Sequence, residues 1–201
     1  IWTRVRRRRS GLGHAQTKDT ARDDLRHQGL AYLQVGSVGF RYSHCMAAID
    51  WTVNGVRRRT EVSAGAMLLE ALRDPLGLTG AMRGWGEGAW GACTVLGAGR
   101  PGKACLTPAA SARGRSVLTI EGLARGGALH PVQQAFLDEE AFQCGYCTPG
   151  MILAAAALLG REPDPGEARV KQALEGHICR CGSYPRIVPA VRRAAREARR
   201  G

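Results

Sequence analysis

The chain changes character near residue 46, where apolar and polar residues begin to alternate. Alternation over residues 49–53 predicts a β-strand, and the Asn54-Gly55 pair that follows is a two-residue turn signal. Residues 56–62 are typical of the returning strand, so this segment predicts a hairpin. Residues 66–73 then have helical spacing, which the Asp74-Pro75 pair ends.

Shorter apolar segments follow a glycine-rich stretch. Residues 94–96 predict a strand, residues 97–102 a turn and residues 104–106 the return of the chain, and residues 117–120 predict a last strand. We interpret this first half as a small mixed sheet wrapped on one helix. Glycines at 122, 126 and 127 mark a linker.

After residue 131 the apolar spacing is helical. Thr148-Pro149 and Asp164-Pro165 are cap-plus-proline signals, with Thr148 expected as the N-cap of a helix that runs to Leu159. The second half is therefore expected to contain four helices, over residues 132–138, 149–159, 166–174 and 187–200.

Charge is concentrated at the two ends of the chain. The 201 residues carry a net charge of +12, and residues 1–45 contribute nine basic residues against three acidic ones. Because the excess is not spread over a folded region, it does not favour nucleic-acid binding. The longest apolar run, 151–159, is too short for a membrane span. For residues 1–45 we expect a disordered basic extension, with an upstream stretch wrongly included in the reading frame or a functional basic arm as alternatives.

Cysteine spacing gives the first chemical signal. Seven cysteines is an odd number, and they are grouped, which favours metal-binding thiolates in a reducing, cytoplasmic compartment over disulfides. Cys144 and Cys147 are separated by two residues and precede a predicted helix, whose N-terminus favours thiolates. Cys179 and Cys181 are separated by one residue. This spacing favours an iron–sulfur cluster, while a zinc site and unliganded core cysteines remain alternatives.

The glycine-rich stretch 84–93 has the spacing of a plant-type [2Fe–2S] loop, but tryptophan stands at two ligand positions. Trp85, Trp90 and Cys93 occupy the three loop positions, and Cys105 follows as the distant fourth. Indole has no lone pair suited to binding iron. Two thiolates remain, so a second cluster is doubtful.

Two segments around the paired cysteines, 143–153 and 179–187, closely resemble the small iron–sulfur subunit of the molybdenum hydroxylases. This family includes xanthine dehydrogenase, aldehyde oxidoreductase and isoquinoline 1-oxidoreductase, and the Cys-Arg-Cys-Gly-Ser-Tyr form is most similar to the isoquinoline and nicotinate type. The resemblance spans residues 49–192 in consistent order, through further motifs at 53–55, 76–80, 91–95, 119–123 and 130–136.

The resemblance implies an α+β chain with two domains: a β-grasp, ferredoxin-like domain over 46–123 and a four-helix [2Fe–2S]-binding domain over 124–201. It implies that one cluster is held by cysteines of the helical domain, and that Gln143, together with the sulfur of Cys181, approaches the pterin of a partner's molybdenum cofactor. A capping role for the Gln143 amide is the alternative. The implied ligands are Cys144, Cys147, Cys179 and Cys181.

The implied function is electron transfer without catalysis by the chain itself. The partner would be a large molybdenum-cofactor subunit, and electrons would pass on to a flavin subunit or a cytochrome. The alternatives are a structural or assembly subunit with an incomplete relay and a zinc-stapled interaction module. The resemblance also implies cluster ligands at the positions of Trp85, Trp90, Cys93 and Cys105.

Three interpretations of the two tryptophans are open. A cysteine codon becomes a tryptophan codon by one base change, so a degraded gene or a sequence error is one. A cluster-free domain is another, in which both indole rings turn inward beside Cys93 and Cys105. In the third, Cys45 or another donor completes the site.

Overall fold

A computed structural model describes residues 46–200. The expectations for residues 1–45, including a role for Cys45, lie outside this range. The predicted hairpin is confirmed: β1, Met46–Val53, pairs antiparallel with β2, Val56–Ser63. Asn54 and Gly55 take φ values of 51° and 81°, the left-handed pair that a two-residue hairpin turn requires.

The five strands form one mixed sheet in the order β2-β1-β5-β3-β4. The other three strands are β3, Thr94–Gly97, β4, Arg100–Lys103, and β5, Ser116–Leu118, and β5 lies parallel to β1. The prediction that residues 104–106 form the return strand is wrong. Ala98 and Gly99 both take positive φ, so the turn is tighter than predicted and the chain already returns at Arg100.

One helix of the first half packs on this sheet. It is α1, Leu68–Arg73, and the carboxylate of Glu70 caps it by accepting from the Met67 backbone N–H at 2.9 Å. Leu69 and Leu72 of α1 are fully buried against Ile49 of β1. Burial of such side chains is worth about 1.5–3 kcal/mol each, which holds the helix on the sheet.

Four helices form the second half, as predicted. They are α2, Pro131–Asp138, α3, Thr148–Leu159, α4, Glu167–Ala173, and α5, Tyr184–Ala198. Both predicted caps are wrong: Thr148 is already helical and Cys147 is the N-cap of α3, while Gly166 is the N-cap of α4. The Asp164 carboxylate pairs instead with Arg199 at the end of α5.

A second apolar cluster fills the space between these helices. Phe136, Met151, Val170 and Ile187, one from each helix, are at most 1% exposed. The cluster also includes Leu96 of β3, and α3 packs against β3 and the neighbouring edge strand β4. The described chain is thus a mixed sheet with helices, an α+β fold. Over residues 46–200, no helix combines the length and the apolarity needed to cross a membrane.

Candidate metal centres

The helical half brings together the four cysteines that the spacing singled out. Cys144 and Cys147 lie in the loop that enters α3, and Cys179 and Cys181 lie between α4 and α5. Cys144 lies beside Cys181 and Cys147 beside Cys179, close enough for each thiol to shift the pKa of its neighbour. Each contact therefore joins one cysteine of one loop to one cysteine of the other.

This two-by-two arrangement bears on which metal the thiols suit. A [2Fe–2S] cluster takes two cysteines at each of its two irons, and thiolates are its usual ligands. Two cysteines from each loop supply that number, so the four thiols fit the binuclear cluster. A structural zinc ion would also take four thiolates.

Burial divides the four cysteines into an inner and an outer pair. Cys147 and Cys179 are buried, whereas Cys144 and Cys181 are exposed. Burial, followed by contact with the Cys179 thiol, raises the pKa of Cys147 to about 12. For Cys179 burial also acts upward, but hydrogen bonds from Ser183 and from the Cys147 thiol outweigh it and lower the pKa.

The outer pair is shifted in opposite directions. A hydrogen bond from the backbone of Tyr146 lowers the pKa of Cys144, with a further contribution from Cys181. A hydrogen bond from the Cys144 backbone acts to lower the pKa of Cys181. Contact with the Cys144 thiol, burial and the charge of nearby thiolates outweigh this effect and raise the pKa. In each pair the thiol with the raised pKa is thus the better proton donor, and the thiol with the lowered pKa is the better acceptor. Metal binding would release the remaining protons.

Tyr184 fixes the loop that carries Cys179. Its hydroxyl accepts from the Cys179 backbone N–H at 2.8 Å and donates to the His177 carbonyl oxygen at 3.0 Å. The Ser183 backbone N–H points at the Cys179 sulfur at 3.4 Å. Because Tyr184 is the first residue of α5, the loop is tied to the start of a packed helix.

The same loop is joined to the glycine-rich stretch of the sheet half. The Ile178 backbone N–H donates to the Trp90 carbonyl oxygen at 3.1 Å. His177 Nε2 lies 2.9 Å from the Thr94 hydroxyl, which donates its own proton to the Gly91 carbonyl oxygen at 2.7 Å. His177 Nε2 is therefore the donor of that contact, and burial lowers the pKa of this imidazole. Its Nδ1 is buried without a hydrogen-bond partner among the described residues.

A second link joins the other cysteine loop to the same stretch. The Tyr146 hydroxyl donates to the Arg83 carbonyl oxygen. Gly150 of α3 lies so close to the Gly91 carbonyl oxygen that a Cβ built at Gly150 would be 2.3 Å from it. None of these contacts was predicted, although Tyr146 and Gly150 lie in the segment 143–153 that carries the family resemblance.

Only two thiols stand at the four ligand positions of the sheet half, one at the end of the glycine-rich stretch and one after β4. The sulfurs of Cys93 and Cys105 lie 3.1 Å apart, and Cys93 is 3% exposed. Burial, and then the Cys105 thiol, raise the pKa of Cys93. A [2Fe–2S] cluster needs four ligands, so this site does not fit one.

The expectation that both indoles turn inward is wrong. The Trp85 side chain is 73% exposed, and its ring centroid lies 5.4 Å from that of the half-buried Trp90. Side chains from the end of β4 and from just after it lie against this stretch instead. The Lys103 ammonium donates to the Gly88 carbonyl oxygen, and a Cβ at Gly88 would be 2.4 Å from the Leu106 side chain. Local spacing does not reveal such tertiary contacts.

Two polar residues from the segments that carry the family resemblance lie near these elements, one beside the helical cysteines and one at the start of α2. Gln143 is exposed beside Cys144, as an approach to a partner's cofactor would require. His130, whose place before Pro131 suggests a local donor, is instead an acceptor. Its Nδ1 receives the Val132 backbone N–H at 3.2 Å at the start of α2.

Comparison with known proteins agrees with the geometry of the helical site. Residues 119–192 match the family model of a [2Fe–2S] binding domain. The chain is 45% identical over 152 residues to one subunit of the nicotinate dehydrogenase of Pseudomonas putida, covering 76% of this chain and 97% of that protein. It is 46% identical over 151 residues to the alpha subunit of isoquinoline 1-oxidoreductase from Brevundimonas diminuta, covering 75% and 99%.

A solved structure shares the fold. One chain of quinoline 2-oxidoreductase from Pseudomonas putida 86 superposes with a TM-score of 0.74 at 39% identity, covering 78% of this chain and 98% of that one. With four thiols arranged for a binuclear cluster, the molecule is an iron–sulfur protein of the electron-transfer class. The chain belongs to the small [2Fe–2S] subunits of the molybdenum hydroxylases.

Proposed function

We propose that this chain is the electron-transfer subunit of a molybdenum-dependent hydroxylase. It would take electrons from the molybdenum-pterin centre of a large partner subunit, then pass them to a flavin or a cytochrome. The observation that carries the proposal is the two-by-two set of Cys144 with Cys181 and Cys147 with Cys179. When bound there, a [2Fe–2S] cluster supplies a one-electron redox centre.

The exposure of the outer pair supports an entry point for electrons. Cys144 and Cys181 reach the surface, and Gln143 lies beside them. Apolar side chains surround this position: Phe142 is 36% exposed and Ile178 43%. We infer that the large subunit covers this surface, with Gln143 and Cys181 nearest its pterin.

The inner pair faces the rest of the chain. Cys147 is buried at the start of α3, with no hydrogen bond from the helix to its sulfur. The Ser183 N–H directed at Cys179 stabilises thiolate charge there. This donor would raise the reduction potential of the centre, because it favours the more negative, reduced form.

We further propose the finer division of the fold. Residues 46–123 would be a β-grasp, ferredoxin-like domain and residues 124–201 a helical [2Fe–2S]-binding domain. The two apolar clusters support it, because one lies mainly under the sheet and the other mainly between the helices. Cleavage at Arg125, beside the Gly126-Gly127 turn, would be expected before cleavage within either half.

Iron analysis of the full chain tests the ligand assignment. After anaerobic reconstitution with iron and sulfide, the chain should hold about two irons and show the visible bands of one [2Fe–2S] centre. Cys147→Ala and Cys179→Ser should abolish both. Cys93→Ser is the matched control and should retain them. Full iron in either of the first two variants, or its loss in the control, would contradict the assignment.

A structural or assembly subunit is the second candidate, favoured by the incomplete site at Cys93 and Cys105. It would bind the large subunit but leave the relay interrupted. Freeze-quench electron paramagnetic resonance on the heteromeric complex separates the two. After reduction with dithionite, rapid reoxidation of the helical centre by the complex's acceptor supports a working relay. A centre that stays reduced on the time scale of turnover supports the structural role.

A further inference from the structure

The sheet half keeps two thiols in contact at the position where its relatives' loop pattern expects four ligands. Cys93 ends the glycine-rich stretch and Cys105 follows β4, and their sulfurs are 3.1 Å apart. The four helical cysteines are engaged with one another, so this pair stands by itself among the cysteines of residues 46–200. Its chemistry can therefore be considered separately.

Local backbone structure holds the two cysteines at the open end of one hairpin. In the β3–β4 ladder Thr94 faces Lys103, and the next hydrogen bond outward runs from the Ala104 N–H to the Cys93 carbonyl oxygen at 3.1 Å. The cysteines are separated by 12 positions in sequence. They are thus neighbours across adjoining chain segments, and closing a bond between them needs movement of about 1 Å, since a disulfide bond is about 2.05 Å long.

The donor set does not suit a metal. The other two ligand positions carry Trp85 and Trp90, and Trp85 is 73% exposed. No third His, Cys, Asp or Glu joins the pair in the described part of the chain. Two adjacent thiols without further ligands have one well-known reaction available, which is oxidation to a disulfide.

We propose that Cys93 and Cys105 form a reversible disulfide, so that this site is a two-electron thiol switch and not an iron–sulfur centre. The oxidant would be a low-molecular-weight disulfide of the glutathione type. Cys105 is the more exposed of the two, so its thiolate attacks one sulfur of the small disulfide and releases one small thiol. The Cys93 sulfur then attacks the mixed disulfide at Cys105 and releases the second.

The exchange balances in atoms and electrons. Two protein S–H bonds and one small S–S bond are lost, while one protein S–S bond and two small S–H bonds form. The two protons of the protein thiols pass to the two released thiolates. The protein pair loses two electrons, and the small disulfide gains them.

Peptide mapping of the full chain tests the proposal directly. The iron-loaded protein is equilibrated anaerobically with reduced and oxidised glutathione at ratios from reducing to oxidising, then denatured in an alkylating reagent and digested with trypsin. Cleavage after Arg83, Lys103 and Arg113 leaves Cys93 in peptide 84–103 and Cys105 in peptide 104–113, because Pro101 blocks cleavage at Arg100. Oxidation should join these two peptides, and reduction should release them.

The result expected is complete conversion of both alkylated peptides into one linked species, with one midpoint and unchanged iron. Free thiols at both positions across all ratios would overturn the proposal. So would a glutathione adduct on either cysteine as the end product. An iron content of about four with both thiols protected would also overturn it, because the pair would then hold a second cluster.

Two variants serve as controls. Cys105→Ser removes the link and should leave Cys93 as a free thiol or a glutathione adduct. A rise in Tm of the oxidised wild-type chain over its reduced form, absent in Cys105→Ser, would show that the link closes within the folded hairpin. In Cys179→Ser, loss of the helical cluster would change the iron content and leave the peptide link in place. Failure of the proposed function and failure of this inference therefore give different results.

Discussion

The hydroxyl of Tyr184 accepts a hydrogen bond from the backbone N–H of Cys179 at 2.8 Å, so a proposed cluster ligand is held by a residue of the next helix. The same hydroxyl donates to the His177 carbonyl oxygen, which closes the loop on both sides of Ile178. Tyr184 is therefore a positioning residue for the helical centre.

Tyr184→Phe should weaken this centre without removing a ligand. The change leaves one backbone donor and one acceptor unpaired, a cost of about 1–3 kcal/mol where they are shielded from water. We expect faster loss of visible absorbance in the presence of an iron chelator and a lower Tm. Thr107→Val, which removes a hydroxyl contact to the Lys103 carbonyl oxygen in the sheet half, is the control. Equal chelation rates in the wild type and Tyr184→Phe would contradict the positioning role.

The double change Trp85→Cys, Trp90→Cys should create a second iron–sulfur site. The glycines of the loop and the thiols of Cys93 and Cys105 are already present, and the exposed Trp85 ring can be removed at little cost in packing. Iron should rise from about two to about four atoms per chain, with a second reduction step in a redox titration. Either single change should leave the iron content unchanged, because three thiolates do not complete the site.

Gly150→Ala should destabilise the fold even though alanine usually stabilises a helix. A Cβ at this position would be 2.3 Å from the Gly91 carbonyl oxygen, so α3 and the glycine-rich stretch would have to separate. Overpacking of this kind typically costs about 1–3 kcal/mol in the free energy of unfolding. Gly97→Ala is the control, since no atom lies within 4 Å of a Cβ there. Urea unfolding of both variants measures the difference, and equal midpoints would be inconsistent with a tight contact.

His130 should make the stability of α2 dependent on pH. Burial, and then the charge of Arg125, lower the pKa of His130, and the neutral ring caps α2 by accepting from Val132. The unfolded chain therefore binds the proton more readily, so the contribution is complete above the ordinary pKa of about 6.5 and is lost as pH falls through the lower folded value.

His130→Asn keeps a good capping acceptor but removes the titration. The difference in the free energy of unfolding between the wild type and this variant should be constant above about pH 7 and shift against the wild type as the pH falls below about 6.5. A difference that does not change with pH would show that the ring is not the titrating group.

Features set by neighbours in sequence were predictable. The Asn54-Gly55 turn fixes the β1–β2 hairpin through backbone conformations that few residue pairs adopt. The spacing of the paired cysteines favoured an iron–sulfur cluster, and the segments around them narrowed the choice further. The starts of the helices were less predictable. Asp164 is a residue type that often caps helices, but its carboxylate pairs instead with Arg199, which is distant in sequence.

The orientation of Trp85 is the clearest failure of sequence reasoning. A large apolar ring next to an empty ligand position is expected to fill it. Instead, Lys103 at the end of β4 and Leu106 just after it lie against Gly88 of the same stretch, and Trp85 stays exposed. Only the three-dimensional path of the chain reveals these contacts.

The glycine-rich stretch is braced from outside by Ile178, His177 and Gly150, through contacts that do not involve its own cysteines. A loop that depended on its metal for its shape would collapse once two ligands were replaced. Here contacts with the helical half hold the backbone of the glycine-rich stretch in its conformation. We therefore expect substitutions at positions 85 and 90 to change the metal-binding chemistry of the sheet half while the helical half remains intact.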